Sequence, residues 1–390
     1  VKADAQWQDG RRVAREDVLK VLPAALPEAV LRVVMEFVSF SYQVAFIDGS
    51  SSLSLWGSGG GFVGRLRNAS GVAGVQFFPL GGKLLAWGQE GAAVIWDTVS
   101  GEQHRVLPLS GRATCGRVFP AGDRVAMCGD LGAVTVWDAA SGAKLCAMPP
   151  EPWAHDVEVF PSGRRLLVWG RWSSPVVRDT ATGETVCELH AHGGDATAVF
   201  PDQDRAIVGG RGQRARIWDV ASCAVLYEFV APSEVSSLAV ASGGALVWVQ
   251  HGTTATVWEL ATGRVVQSLI THPTMPRYFR MPKVMPFAWD DRVIVSGPMT
   301  TVIWNATTGE SLHRLLNFPR WARGVSVADG GDVVATCNSD HVALWSAESG
   351  ESLRSLPAAP TPPPFGPPAN DGCAVAFGLG AFDPRGIGGV

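Results

Sequence analysis

A tryptophan that closes a short apolar segment recurs along most of this chain at a nearly constant interval. The recurring residues are Trp56, Trp96, Trp137, Trp218, Trp258, Trp304 and Trp345, and Arg178 occupies the same position in the segment VVRDTATG. The successive spacings are 40, 41, 41, 40, 40, 46 and 41 residues. Such a regular interval indicates a repeat architecture, in which each copy forms one supersecondary unit and stacks on its neighbours.

Turn residues recur in step with the tryptophans. An acidic residue follows the tryptophan position directly at Asp97, Asp138, Asp179 and Asp219. Three residues later six copies carry a Ser-Gly or Thr-Gly pair, as in SG at 100–101. Glycine readily adopts the left-handed backbone of a tight turn. Each period therefore contains four short strands bounded by turns, which predicts an all-β fold of four-stranded antiparallel blades, a β-propeller.

The number of blades depends on where the first copy finds its innermost strand. In eight copies the third strand ends at the positions given above. The segment YQVAFID, residues 42–48, is the second strand of the first copy. The segment CAVAFGLG, residues 373–380, reads like the innermost strands elsewhere and could complete the first blade. We therefore prefer eight blades, with closure leaving no sheet edge exposed. The alternative is a seven-bladed ring closed by the strand near Phe62.

Several segments resemble the WD-repeat (WD40) family, namely AAVIWDTVSG, AVTVWDAASG and RARIWDVASC. The resemblance extends over nearly all of the chain from about residue 41, and it implies a propeller that mediates protein–protein interactions. The Gly-His pair typical of the family is almost absent, with His155 and His192 the nearest candidates. Trp87, Trp169 and Trp248 often replace the family's Ser or Thr on the second strand. We therefore expect the family's buried His–Ser–Asp–Trp network in few blades, with large apolar contacts instead.

The remaining segments divide the chain into four parts. Residues 1–40 read as a helical segment, 41–356 as the propeller, 357–371 as a proline-rich linker, and 372–390 as a C-terminal strand that closes the ring. Within the first part, LPEAVLRVVMEFV resembles the start of an F-box. This resemblance leaves open an alternative function, a substrate adaptor of a ubiquitin ligase.

Composition and motifs weigh against several other functions. The formal net charge of −4 gives no basic field for nucleic acid, and no apolar run is long enough to span a membrane. The seven cysteines are scattered without C-x-x-C spacing, which favours reduced, buried thiols and a cytoplasmic location, with a nuclear one open. The chain begins with Val1, so an N-terminal targeting signal also stays open.

No motif for metal capture, phosphate binding or nucleophilic catalysis stands out in the sequence. We therefore predict no cofactor, no metal and no enzymatic activity. A propeller enzyme of the quinoprotein type is a weaker alternative, because its Asp-x-x-Thr-Gly turn is similar. Here the tryptophan instead precedes the aspartate.

The side chains that depart from the repeat predict a partner-binding face. On a propeller, the loops that join blades and the loops between the second and third strands share one face, and here these loops are rich in Trp, Tyr and Arg. These residue types dominate interface hot spots. The predicted face comprises Trp153, Arg171, Trp172, Arg211, Arg214, Arg277, Tyr278, Phe279, Arg280, Phe318, Arg320 and Trp321. We expect a non-enzymatic scaffold that binds other proteins, as a subunit of a larger complex.

Overall fold

The computed structural model of the chain describes its strands and many of its turns. The described residues are 42–47, 53–57, 62–65, 71–79, 81–88, 91–151, 154–170, 173–190, 196–201, 204–210, 213–241, 244–251, 254–270, 283–287, 291–296, 300–316, 324–328, 331–337, 341–357 and 374–379. The predicted N-terminal helical segment lies outside them. So does the predicted linker, except for its first residue, Pro357.

The described part of the chain contains 32 β-strands, which hydrogen-bond into eight four-stranded sheets. The first sheet has β1 (Tyr42–Ile47), β2 (Leu53–Gly57), β3 (Phe62–Arg65) and, from the other end of the chain, β32 (Ala374–Leu379). The second has β4 (Val72–Phe77), β5 (Lys83–Gly88), β6 (Ala92–Asp97) and β7 (Gln103–Pro108). The third has β8 (Ala113–Val118), β9 (Arg124–Gly129), β10 (Val134–Asp138) and β11 (Lys144–Ala147). The fourth has β12 (Ala154–Val159), β13 (Arg165–Gly170), β14 (Ser173–Asp179) and β15 (Thr185–Glu188).

The other four sheets follow the same order. The fifth has β16 (Ala196–Val199), β17 (Arg205–Gly209), β18 (Arg214–Asp219) and β19 (Ala224–Val230). The sixth has β20 (Val235–Val240), β21 (Leu246–His251), β22 (Thr254–Glu259) and β23 (Arg264–Ile270). The seventh has β24 (Lys283–Pro286), β25 (Arg292–Ser296), β26 (Thr300–Asn305) and β27 (Ser311–Leu316). The eighth has β28 (Gly324–Val327), β29 (Val333–Cys337), β30 (His341–Ser346) and β31 (Ser352–Pro357).

All neighbouring strands within a sheet are antiparallel, so the prediction of an all-β fold with four-stranded antiparallel blades is confirmed. The first and last described strands meet in the first sheet, where β32 pairs with β1 in the register Val44 with Phe377. In the other seven sheets four consecutive strands suffice. The C-terminal strand therefore takes the position that the innermost strand holds elsewhere.

Apolar clusters join each sheet to the next. The described residues form eight buried clusters, and each combines residues of two neighbouring sheets. Seven of them lie at the successive junctions from the first and second sheets to the seventh and eighth. The eighth sheet packs in the same way on the first, through Leu344 and Val342 against Val44 and Trp56. Burying one such aliphatic side chain contributes about 1.5–3 kcal/mol. The clusters thus hold the sheets together face to face.

Strand position within a sheet determines burial. The first strands of successive sheets contact one another from β32 through β24, which places them innermost. The second strands are almost fully buried, as in β29, where all five residues are buried. The fourth strands form the rim, and six of the seven residues of β19 are exposed. Strands buried on both faces cannot show strict polar–apolar alternation, which explains their continuous apolar sequences.

Tryptophans on the second strands fill the space between sheets, as expected. Trp87, Trp169 and Trp248 are all buried, with Trp248 fully so. A Cβ atom at Gly74 would overlap the Trp87 indole, and one at Gly116 of the next sheet would lie 2.9 Å from it. Glycine on the innermost strands is therefore what makes room for the indole.

Candidate interaction surface

The aspartates that follow the repeat tryptophan form the turns between third and fourth strands. The Oδ1 atom of Asp179 accepts hydrogen bonds from the backbone N–H groups of Ala181 and Thr182 at 2.8 and 2.9 Å. Asp97 and Asp219 accept equivalent bonds from Ser100 and Ser222. These bonds stabilise the carboxylate, and the bond from the Thr182 amide is the main reason that the pKa of Asp179 is lowered.

Copies without aspartate use the same geometry with other oxygens. Asn305 Oδ1 accepts from the amides of Thr307 and Thr308 at 2.9 and 2.8 Å, and Ser346 Oγ accepts from Ser349 at 3.1 Å. An uncharged oxygen can therefore accept the same hydrogen bonds as a carboxylate. These residues, with Asp138 at the same place, stabilise turns and have no geometry that singles one out for chemistry.

The repeat tryptophans are buried or half-buried, and their indole N–H groups are satisfied unevenly. Trp345 donates to Thr336 Oγ1, on the second strand of its own sheet, at 2.9 Å. Trp137 and Trp258 instead donate to a threonine two residues earlier on the same strand. By contrast, the buried Nε1 atoms of Trp96, Trp218 and Trp304 have no acceptor among the described residues.

Only the Trp345–Thr336 pair among these bonds places the threonine on the second strand, as the family network does. The indole bonds of Trp137, Trp258 and Trp345 each go to a threonine and include no histidine or aspartate. The tryptophans therefore contribute mainly through apolar contact, and Trp96, which is 2% exposed, packs between the first and second sheets.

Arg178, which stands where the repeat has tryptophan, is buried at 5% exposure in the fourth sheet. Its Nη1 donates to the carbonyl oxygen of Gly183 at 3.0 Å, and its Nη2 forms an ion pair with Glu151. The guanidinium thus closes the turn of its own sheet and binds a carboxylate that follows β11 of the preceding one. A buried charge persists only when it is paired in this way.

A second arginine position links neighbouring sheets. Arg124, at the start of β9, stacks over Phe119 and donates to Gly163 O and Thr180 Oγ1 of the next sheet. Arg292 repeats the arrangement in the seventh sheet, stacking over Phe287 and donating to carbonyl oxygens of the eighth. These cations are engaged in holding the sheets together, so they are poor candidates for binding a partner.

Of the predicted partner-binding face, Arg214 lies within the described residues. The other members lie outside them, namely Trp153, Arg171, Trp172, Arg211, Arg277, Tyr278, Phe279, Arg280, Phe318, Arg320 and Trp321. The structure therefore does not bring these residues together or separate them, and the face stays a prediction.

Arg214 begins β18 and forms an ion pair with Glu228 on the rim strand β19. The same carboxylate binds Arg216, with 2.6 Å between Nε and Oε2, and the hydrogen bond from Arg216 lowers the pKa of Glu228. Arg216 also donates to the carbonyl oxygen of His190 in the preceding sheet at 3.1 Å. Two guanidinium groups share one carboxylate here, so these three side chains together carry a net positive charge, and the Arg214 side chain is 56% exposed.

Sequence reasoning did not find a charged cluster on the innermost strands. Arg117 of β8 lies 3.4 Å from Asp156 Oδ1 and 3.9 Å from Glu158 Oε2, both on β12 of the next sheet. Its Nη1 also lies 3.0 Å from the Cys115 sulfur. Burial raises the pKa of Glu158, and the charge of Arg117 opposes that rise. The sequence signal that could have revealed this cluster was the presence of charged residues in strands that are otherwise apolar.

A disulfide joins Cys187 on β15 to Cys223 in the turn between β18 and β19, with 5.6 Å between the Cα atoms. The expectation that every cysteine is a reduced thiol is therefore wrong for this pair. The two residues are 36 positions apart, slightly less than one repeat, so the rim strand of one sheet meets the turn of the next. Cys115, Cys128 and Cys146 are buried free thiols.

Within the described strands and turns, no group of three or more His, Cys, Asp or Glu side chains could hold a metal ion. Nor does any helix of that same part of the chain have the length and apolar character needed to cross a membrane.

Comparison with known proteins supports the fold alone. No protein-family model and no curated protein sequence matches the chain. Among solved structures it is similar to the computationally designed Ika8 protein, with a TM-score of 0.64 and 16% identity over 80% of this chain and 91% of that one. It is also similar to a chain in the crystal structure of the mitotic checkpoint complex, with a TM-score of 0.57 and 14% identity over 67% of this chain and 82% of that one.

Proposed function

We propose that the eight sheets are the blades of a single closed ring of the WD-repeat type. The support is the pairing of β32 with β1 together with the contact of the eighth sheet with the first. The Asx turns at Asp97, Asp138, Asp179 and Asp219 and the buried tryptophans match the repeat that suggested the family.

On this ring we propose a non-enzymatic scaffold for protein–protein interactions, acting in a larger assembly. The observation that carries this proposal is that the repeated residues are engaged in turns and packing. The side chains outside the repeat therefore distinguish this propeller from another, and they are rich in Arg and aromatic residues. A neighbour in fold also comes from a structure of a multiprotein complex.

The partner we propose is an acidic protein segment that meets the arginine-rich face. Arg214 and Arg216 together exceed the charge of Glu228, so this group of three side chains is positive. Arginine binds carboxylates through a planar fork of donors, which suits recognition of an acidic chain. The absence of a nucleic-acid partner and a cytoplasmic location remain predictions of the same proposal.

The test is affinity purification of the full chain from its native cells, followed by mass spectrometry. A variant with Arg214→Ala, Trp172→Ala and Arg280→Ala should lose at least one partner that the wild type retains. The control is Arg264→Ala, which changes an exposed arginine at the opposite end of the strands, where β23 begins. Far-ultraviolet circular dichroism and Tm check that both variants fold.

Retention of every partner by the triple variant would contradict the proposed face. Loss of the same partners from the Arg264→Ala control would contradict it as well, because the effect would then not depend on this end of the ring.

A further inference from the structure

At several junctions the turn that follows the repeat tryptophan packs on the rim strand of the preceding sheet. A Cβ atom at Gly142 would lie 3.3 Å from Arg105, and one at Gly350 would lie 2.8 Å from His313. At the junction of the third and fourth sheets, a Cβ at Gly183 would lie 3.1 Å from the Cys146 sulfur. At these junctions the turn position thus faces the same position of the neighbouring rim strand.

Cys223 occupies this turn position in the fifth sheet and departs from the glycine found elsewhere. Its φ is 57°, compared with 76° at Gly183, so a residue with a side chain adopts the left-handed conformation that favours glycine. Its partner Cys187 holds the position that Cys146 holds in the preceding sheet. At this junction a cysteine therefore replaces the turn glycine, and the residue opposite it on the rim strand is also a cysteine.

The two cysteines differ in their exposure to solvent. Cys187 is 2% exposed and belongs to the apolar cluster between the fourth and fifth sheets, whereas Cys223 is exposed. A thiolate that approaches from solvent therefore reaches the Cys223 sulfur first. Attack there forms a mixed disulfide with Cys223 and releases Cys187 as a thiolate, which takes a proton.

We propose that Cys187–Cys223 is a reversible thiol–disulfide site that locks the turn of the fifth sheet onto the rim of the fourth. The reductant is a low-molecular-weight thiol. A second equivalent displaces Cys223 from the mixed disulfide, so that two thiols become one small disulfide and two protein thiols are formed. The corresponding small disulfide reverses both steps. The junction also contains buried Phe160, Val208 and Trp218, which keep the sheets packed when the bond is open.

Differential alkylation with peptide mapping tests whether the bond exists and exchanges. Iodoacetamide on unfolded, unreduced protein should modify Cys115, Cys128 and Cys146 but neither Cys187 nor Cys223. Native protein that has been incubated with millimolar glutathione should become alkylated by iodoacetamide at Cys223. Modification of both residues without reduction, or a bond that resists glutathione in the native protein, would overturn the proposal.

Thermal unfolding of variants distinguishes the effect of the disulfide on stability from the effect of the residue at the turn. Opening the bond in the wild type should lower Tm by about 4 °C, because a loop of this length is no longer closed in the unfolded chain. Cys223→Gly should unfold about 1–2 °C above the reduced wild type, since glycine accepts the left-handed turn. A wild type whose Tm is unchanged by reductant would overturn the locking role.

The neighbouring junction offers a matched gain-of-bond control. Gly183→Cys places a thiol opposite Cys146, at about the 3 Å that separates a Cβ from the far sulfur of a disulfide. The variant should form a second bond that glutathione also opens. If Gly183→Cys forms that bond while the natural pair does not, the assignment of Cys187–Cys223 is overturned.

Discussion

The second and fourth sheets solve the same packing problem with opposite chemistry. In the second sheet Trp96 is 2% exposed and contributes apolar area to the junction with the first sheet. In the fourth sheet Arg178 holds the same place at 5% exposure, bound to Glu151 and to the Gly183 carbonyl oxygen. The position therefore accepts a large side chain that packs between sheets, and either an indole or a paired guanidinium can fill it.

The largest expected effect comes from the apolar version of this position. Trp96→Ala should lower the free energy of unfolding by about 3–5 kcal/mol, because it removes a buried indole and leaves a cavity. Trp258→Ala is the matched control, since that indole is only partly buried, and it should cost less. Urea unfolding measures both, and equal losses would contradict the view that burial sets the contribution.

Breaking the ion pair between Arg178 and Glu151 should lower the free energy of unfolding by less than the removal of Trp96 does. Glu151→Ala leaves Arg178 buried without its carboxylate, which we expect to cost about 2–3 kcal/mol after allowance for the partial exposure of Glu151. Arg178→Trp in the Glu151→Ala background should recover part of the loss, because it restores the residue type of the repeat. A double variant no more stable than Glu151→Ala alone would show that the fourth sheet cannot accept the indole.

The turn aspartates should have a smaller effect, with a clear pH dependence. Asp179→Ala should cost about 1 kcal/mol through lost hydrogen bonds, whereas Asp179→Asn should cost less, as Asn305 shows at the equivalent turn. The folded pKa of Asp179 is lowered, so its contribution is present above the unfolded pKa near 3.8 and is lost as pH falls through the folded pKa. Asp179→Asn should therefore lose less stability than the wild type on acidification, and a parallel pH profile would contradict this.

The smallest effect on stability is expected at Arg214. Its ion pair with Glu228 is exposed, so Arg214→Ala should change the free energy of unfolding by less than about 0.5 kcal/mol. Chemical denaturation with and without added salt measures the change. A loss above 1 kcal/mol, roughly the upper limit for an exposed pair, would mean that Arg214 supports the fifth sheet rather than a partner.

Much of the fold followed from local sequence signals. Strand and turn residues recur with each period, and apolar packing by the second-strand tryptophans Trp87, Trp169 and Trp248 was expected because they replace the Ser or Thr of the family that the sequence resembles. The scarcity of the family's hydrogen-bond network was also predicted. The candidate face was not settled in the same way, because loops that leave the repeat carry no periodic signal that fixes where their side chains lie.

The sequence by itself determined the repeating unit, because strand length, turn chemistry and hydrophobic spacing are local properties of each copy. Only the tertiary structure decided which residues of different copies meet. The disulfide between Cys187 and Cys223 and the contacts of Arg117 with Asp156 and Glu158 depend on how one sheet packs on another. A repeat specifies its own strands, but the distance between two residues in adjacent sheets is set by register and packing across the junction.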